Sequence, residues 1–131
     1  TAAVWLARRG LYVWACDISP VAIAQAKRLA ERAGQAERCE FQVVDLDDGL
    51  PAGIPVNLLL CNKFRDPRLD GAIVERLAVG GILAISVLSE VGASPGPYRA
   101  RRGELLQAFS ALDVIGAGEA DGEAWLLGRR L

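Results

Sequence analysis

The stretch Gly10–Ser19, GLYVWACDIS, sets the pattern for the rest of the chain. A glycine precedes a run that is nearly all apolar, with aromatic and β-branched members, and such a run is typical of a buried strand in a parallel sheet. We predict this strand over Leu11–Cys16, so that the carboxylate of Asp17 lies at its carboxyl end. Ser19 then supplies a helix N-cap directly before Pro20, and a helix is expected to follow.

The alternation of strand and helix continues along the chain. Apolar runs that end in a polar residue predict three further strands, at Cys39–Val44, Val56–Cys61 and Ile82–Leu88. Helical spacing of apolar residues predicts helices over Thr1–Arg9, from Ser19 to Gly34, and over Pro67–Leu77, where Gly80-Gly81 is expected to end the helix. This order predicts an α/β fold with a mostly parallel sheet.

The C-terminal part departs from the alternating pattern. Gly103–Phe109 predicts a helix, and Asp113–Ala117 and Ala124–Gly128 predict two strands joined by a short turn at Asp121-Gly122. Strands joined so tightly must be antiparallel, so the sheet is expected to gain one reversed strand near its edge.

Length, composition and charge restrict the class of protein. The 131 residues are 52% hydrophobic, enough for one good core, and we predict a single domain over residues 1–131. A net charge of -1 argues against nucleic acid or a membrane surface as partner and favours a small molecule. No apolar run approaches the roughly 20 residues of a membrane span, and no secretory leader is evident. The expected location is the cytoplasm, and the oligomeric state is left open.

Cysteine and histidine usage limits the possible chemistry. The three cysteines, Cys16, Cys39 and Cys61, are odd in number, lack CxxC spacing and lie in apolar runs, which predicts reduced thiols in the core. The chain has no histidine, which excludes Ser-His and Cys-His nucleophiles and a histidine-ligated zinc site within it. No metal site is predicted.

Asp17 has a functional and a structural interpretation. In open α/β sheets ligands bind outside the carboxyl ends of the strands. In nucleotide-binding folds of this kind, an acid at the tip of the fold's second strand commonly binds both hydroxyls of a ribose. We therefore predict that Asp17 binds a ribose. The alternative is that its charge stabilises the N-terminus of the helix that follows.

Several segments together resemble a class I S-adenosylmethionine-dependent methyltransferase. They are CDIS, VVDLDDGLP, NLLLCNKF, the helix before GG and the strand ILAISVLSE, whose order and spacing fit that family. The helix GELLQAF and the hairpin GEADGEAWLLGRR are similar to the tellurite-resistance or thiopurine-type branch. The resemblance covers most of the chain. It implies a Rossmann-like fold with an antiparallel C-terminal hairpin strand, and methyl transfer from S-adenosylmethionine to a small molecule by in-line displacement.

The resemblance also implies roles for individual residues. It makes Asp17 the ribose ligand and Ile18 a neighbour of the adenine, with Asp45 and Leu46 at the adenine edge. Next to the transferred methyl it implies catalytic roles for Asn62 and Phe64, flanked by Lys63 and by Cys61 as a cofactor contact. The alternatives are a solvated acidic turn for Asp45, simple packing for Phe64 and a solvated charge for Lys63.

Two further expectations concern the substrate and the N-terminal segment. The arginines around Tyr98, including Arg99 and Arg101, could bind an anionic substrate, although a charge cluster in a Gly/Pro loop is more often solvated surface. The family's glycine-rich loop and first strand would precede Thr1. The resemblance therefore implies that the 131 residues alone are inactive and bind the cofactor poorly.

Two other functions use the same features. An NAD-dependent Rossmann oxidoreductase also places an acid at the second strand tip, although no Tyr-x-x-x-Lys or histidine acid for hydride chemistry is evident. A non-catalytic methyltransferase-like interaction module would keep the fold without the reaction. Methyl transfer suits a chain without histidine, because positioning and exclusion of water matter more than a strong base.

Overall fold

The computed structural model describes residues 2–131 and contains two compact units, Thr1–Pro51 and Ala52–Leu131. The first unit has a two-stranded sheet and the second a four-stranded sheet. Whether residues 1–131 act as one domain stays a prediction. No helix in the described residues is long and apolar enough to cross a membrane.

The first unit is a parallel strand pair with helices around it. Its elements are α1 (Ala2–Ala7), β1 (Val13–Asp17), α2 (Pro20–Arg32) and β2 (Cys39–Val43). Strands β1 and β2 pair in parallel, with Asp17 opposite Val43. The Oγ of Ser19 accepts the N–H of Ala22 at 3.1 Å, which confirms the predicted N-cap of α2.

The second unit is a mixed sheet with its helices. Its elements are β3 (Val56–Asn62), α3 (Asp70–Arg76), β4 (Leu77–Leu88), α4 (Glu104–Ala108), β5 (Asp113–Ala120) and β6 (Glu123–Arg129). The strand order is β3-β4-β6-β5. Strand β3 is parallel to β4, whereas β6 is antiparallel to both β4 and β5, so the predicted reversed strand near the edge is confirmed.

The turn between β5 and β6 explains why the hairpin forms there. Asp121 and Gly122 have φ of 53° and 80°. Two positive φ values define the type I′ turn, whose twist matches that of the flanking strands and which favours Asp-Gly. The short Asp-Gly signal in the sequence was therefore sufficient to place the hairpin.

The prediction that Gly80-Gly81 ends a helix is wrong. The segment Pro67–Leu77 forms a 3-10 turn followed by α3, which ends at Arg76, and both glycines lie inside β4. Sequence periodicity missed this because Leu77 already begins the strand, where it pairs with Val56.

Gly81 has a close-packing role instead. A Cβ at this position would lie 2.8 Å from the carbonyl oxygen of Ala78 and 2.9 Å from that of Val56. The register shifts between Val56 and Leu58, and β4 is irregular beside them. Backbone approaches backbone so closely here that a side chain has no room.

The end of α3 is capped from the far end of the chain. The Nη1 of Arg130 donates to the carbonyl oxygens of Val74 at 3.1 Å, Glu75 at 3.0 Å and Leu77 at 2.7 Å. A guanidinium thus adds a donor for carbonyls at the helix C-terminus, where the last four carbonyls have no partner inside a regular helix; the carbonyl of Val74 also accepts the N–H of Leu77. The C-terminal residues thereby stabilise the connection from α3 to β4.

The cysteines are reduced, as predicted, but none of them is fully buried in the core. Cys39 and Cys61 are half-buried, whereas Cys16 is exposed. The expectation of a core thiol fails at Cys16 because β1 pairs with a strand on one side alone within the described residues.

Candidate functional site

Two acidic side chains lie at the carboxyl ends of the paired strands of the first unit. Asp17 ends β1, and Asp45 follows β2 after Val44. The N–H of Val44 donates to the carbonyl oxygen of Asp17 at 2.9 Å, so the two segments leave the sheet side by side. The structure therefore brings the two predicted cofactor acids, Asp17 and Asp45, to the same edge of this sheet.

Each carboxylate already makes one local bond. The Oδ1 of Asp17 accepts the N–H of Ser19 at 2.9 Å, and the Oδ1 of Asp45 accepts the N–H of Asp47 at 2.9 Å. Both acids therefore have a structural role as well, because each one stabilises the turn that follows it in the chain. Within residues 2–131 the second oxygens of Asp17 and Asp45 make no hydrogen bond, which leaves each of them one oxygen for a ligand.

Apolar side chains accompany the acids. Ile18 is 63% exposed and Val43 is 48% exposed, whereas Leu46 is half-buried. Large apolar side chains beside an acid are what an aromatic base bound edge-on to the carboxylate would contact.

In the second unit the carboxyl end of β3 holds Asn62 in a fixed position. Asn62 lies beside Ser86 of β4 in the parallel register, and the Oγ of Ser86 donates to its Oδ1 at 2.9 Å. The next residue, Lys63, has a left-handed backbone with φ of 55°, and its N–H donates to the carbonyl oxygen of Ser86 at 2.7 Å. A non-glycine residue in this conformation is uncommon, and such residues concentrate at functional sites.

Cys61 lies on the opposite face of β3 from Asn62, because neighbouring residues of a strand alternate in direction. It pairs with Ile85, which is 4% exposed. Burial raises the pKa of the Cys61 thiol to about 11, although the charge of Arg65 acts the other way. The side chain is therefore a neutral packing group, and a cofactor could contact Cys61 through its backbone.

Phe64 precedes an ion-pair cluster that sequence reasoning missed. Phe64 itself is 38% exposed. The side chain of Arg65 is 9% exposed; its Nε donates to Glu104 at 2.7 Å and its Nη2 donates to Asp70 at 3.0 Å. Its guanidinium also lies 5.8 Å from the ring centre of Phe109. The segment after β3 is thus fixed to the starts of α3 and α4.

The ion pairs shift the pKa values of the cluster. Burial alone would lower the pKa of Arg65, but hydrogen bonds and charges from Asp70 and Glu104 outweigh it and the pKa is raised. Burial would likewise raise the pKa of Glu104, but the hydrogen bond from Arg65 and the N–H of Arg101 bring it below the usual value. Both shifts favour the charged forms.

The predicted substrate arginines differ in their surroundings. The Nη1 of Arg99 donates to the carbonyl oxygens of Ser89 at 2.9 Å and Gly122 at 3.1 Å, so this side chain holds the loop against the hairpin turn. Tyr98 is 85% exposed and the side chain of Arg101 is 80% exposed. Tyr98 and Arg101 are accessible to a ligand, whereas Arg99 is partly committed to the backbone.

The described residues contain no group of three or more cysteine, aspartate or glutamate side chains arranged to hold a metal ion. The arrangement instead offers hydrogen-bond acceptors at the ends of β1 and β2, and a fixed amide at the end of β3.

Comparison with known proteins gives a match in structure but not in sequence. No protein-family model matches the chain, and no curated protein sequence matches it. TehB from Haemophilus influenzae superposes with a TM-score of 0.85 at 15% identity over 98% of this chain and 53% of its own. This chain therefore spans about half the length of that protein.

Two other structures match nearly as well. Geranyl diphosphate C-methyltransferase from Streptomyces coelicolor A3(2), solved with Mg2+, geranyl diphosphate and S-adenosyl-L-homocysteine, has a TM-score of 0.80 at 14% identity over 99% of this chain and 67% of its own. The [4+2]-cyclase SpnF has a TM-score of 0.81 at 16% identity over 98% of this chain and 69% of its own. The chain therefore has the Rossmann-like fold of the S-adenosylmethionine-dependent methyltransferases.

Proposed function

We propose that this chain is part of an enzyme that transfers a methyl group from S-adenosylmethionine to a small-molecule acceptor. The observation that carries the proposal is the pair of acids Asp17 and Asp45, side by side at the ends of two parallel strands of this fold. In such folds the edge formed by the carboxyl ends of the strands is where nucleotide-like ligands bind.

The first unit supplies the proposed cofactor contacts. Asp17 accepts from the vicinal ribose hydroxyls through its second oxygen and a remaining lone pair of Oδ1, since a carboxylate has about four acceptor positions. Ile18 packs on the adenine, and Asp45 with Leu46 contacts the adenine edge. Cys61, in the second unit, contributes through its backbone.

The second unit supplies the proposed acceptor contacts. Asn62 and Phe64 position the acceptor for in-line attack on the methyl carbon, which requires a separation near 3–3.5 Å, about the value of near-attack geometries. Tyr98, Arg99 and Arg101 form the proposed contacts of an anionic substrate, with Arg99 mainly supporting the loop. No general base is needed if the acceptor arrives ionised.

Three coarser features belong to the same proposal. We propose that residues 1–131 act within one methyltransferase domain, that the protein is cytoplasmic, and that its partner is a small molecule rather than nucleic acid or membrane. The near-neutral charge of -1 supports the last point, because nucleic-acid and membrane surfaces require a basic excess.

Substitution of Asp17→Asn tests the ribose contact in the full-length protein. Asparagine can still accept the N–H of Ser19, so the turn is kept while the charge is lost. We expect calorimetry to show S-adenosylhomocysteine binding at least about tenfold more weakly, because a hydrogen bond to a charged group contributes about 1.5–3 kcal/mol. The control is Asp113→Asn, another exposed aspartate, at the start of β5. Equal affinity of the Asp17 variant and the wild type would contradict the proposal.

A further inference from the structure

This inference rests on the proposed function and identifies the class of methyl acceptor. The side chain of Asn62 can present to a ligand either its carbonyl oxygen, which accepts, or its NH2 group, which donates. If the oxygen faces the ligand, a hydrogen-bond donor can bind beside Asn62; if the NH2 group faces it, the methyl acceptor must offer a lone pair.

The hydrogen bonds of Ser86 fix the orientation of this amide. The Oγ of Ser86 donates to the Oδ1 of Asn62, 2.9 Å away. The N–H of Lys63 donates to the carbonyl oxygen of Ser86 at 2.7 Å and makes a longer second contact of 3.3 Å with this Oγ, which accepts it. The left-handed backbone of Lys63, with φ of 55°, aims that N–H back at Ser86. The oxygen of the Asn62 amide is therefore committed to Ser86.

The NH2 group of Asn62 is left to face outward. Asn62 is exposed, and within residues 2–131 its Nδ2 makes no hydrogen bond. The end of β3 thus presents two N–H donors and no acceptor from this side chain. A ligand atom beside it must carry a lone pair to accept these donors. An amine reacts in its neutral form, and its one lone pair is used in the attack on the methyl, so only N–H groups are left to face the amide, whereas an oxyanion has lone pairs for both.

We propose that Ser86 is a positioning residue that makes this protein select an anionic oxygen acceptor, such as an enolate, phenolate or carboxylate, over an amine. The acceptor oxygen supplies the electron pair of the new C–O bond, and the electron pair of the broken C–S bond returns to sulfur. The charges of the oxyanion and the sulfonium cancel, so no proton has to be removed. This agrees with a chain that has no histidine and a Cys61 thiol that burial keeps neutral.

The test compares two cofactor analogues by calorimetry on the full-length protein. Sinefungin carries an ammonium group where the transferred methyl would lie, whereas S-adenosylhomocysteine has nothing there. In the wild type we expect sinefungin to bind more weakly than S-adenosylhomocysteine. In Ser86→Ala the amide can rotate and offer its oxygen to the ammonium, so the affinity ratio should shift toward sinefungin by about tenfold, the size of one charge-assisted hydrogen bond.

Further variants separate this role from a structural one. Ser86→Thr keeps the hydroxyl and should keep the wild-type ratio, and Asn62→Asp should favour sinefungin more than Ser86→Ala does. Ser110→Ala, an exposed serine, should change nothing. An unchanged ratio in Ser86→Ala, with S-adenosylhomocysteine still bound, would overturn the inference alone. Failure of the wild type to bind S-adenosylhomocysteine would overturn the proposed function and this inference with it.

Discussion

The two compact units differ in how much core supports their proposed ligand contacts. The first unit has a two-stranded sheet, and its buried apolar residues are Val4, Ala7, Ile23 and Ala30. The second has a four-stranded sheet with large side chains fully buried, among them Phe109, Leu83 and Leu126. Two strands alone are marginally stable, whereas four with a packed face are not. We infer that the acceptor residues lie on a rigid support and the cofactor acids on a weaker one that ligand binding would stabilise.

A leucine-to-alanine substitution should give the largest difference between the two units in the free energy of unfolding. Leu126→Ala removes a side chain that is 1% exposed and should lower the free energy of unfolding by about 3 kcal/mol. Leu29→Ala, at a position 40% exposed in α2, should cost no more than about 1 kcal/mol. Urea denaturation measures both. Equal losses would contradict the difference between the units.

Removal of the buried guanidinium of Arg65 should cause the next largest loss of stability. Arg65→Ala leaves Asp70 and Glu104 without their shared partner and should cost about 2–3 kcal/mol, somewhat less than for a fully buried pair because both acids are partly exposed. Arg101→Ala is the control, since its side chain is 80% exposed and its contact with Glu104 spans 3.9 Å. If Arg101→Ala lost as much stability as Arg65→Ala, the buried ion pairs of Arg65 would not be the cause of the loss.

Two glycines of the second unit provide a smaller test of its packing. Gly81→Ala places a Cβ against two backbone oxygens and should cost about 1–2 kcal/mol. Gly71→Ala, in α3, meets nothing within 4 Å and should stabilise the protein by about 0.5 kcal/mol. Thermal unfolding of the two variants should therefore shift in opposite directions, and a shift in the same direction would disprove the close approach at Gly81.

The smallest expected effect is the pH dependence that Glu104 contributes. Its folded pKa lies below the usual 4.5, so its stabilising contribution is present above that value and is lost as the pH falls through the lower folded pKa. Acid unfolding followed by circular dichroism should show a shallower loss of stability in Glu104→Gln than in the wild type below about pH 4.5. Parallel curves would mean that Arg65 does not hold Glu104 ionised.

Local signals in the sequence predicted most of the secondary structure. Apolar runs marked the strands, Ser19-Pro20 marked the start of α2, and Asp121-Gly122 marked the hairpin, because each depends on residues next to one another. The prediction for Gly80-Gly81 was wrong because Gly81 is required by a close approach to the backbone of Val56, which lies far away in the sequence. A local sequence pattern does not show a contact between distant segments.

The candidate site was predictable in part for the same reason. Asp17, Asp45 and Asn62 stand at strand ends, which the sequence shows directly. Ser86 and Arg65 were missed because their partners lie far along the chain: Ser86 bonds Asn62 across 24 residues, and Arg65 bonds Glu104 across 39. The residues next to Ser86, in an apolar strand, and next to Arg65, after a strand, do not indicate these roles.

The measurement that tests the central claim most directly is calorimetric titration of the full-length protein with S-adenosylhomocysteine and, separately, with NAD. We expect micromolar binding of S-adenosylhomocysteine and no binding of NAD. Binding of NAD instead would indicate an oxidoreductase. Binding of neither ligand would contradict the account and leave a non-catalytic interaction module as the better explanation of this fold.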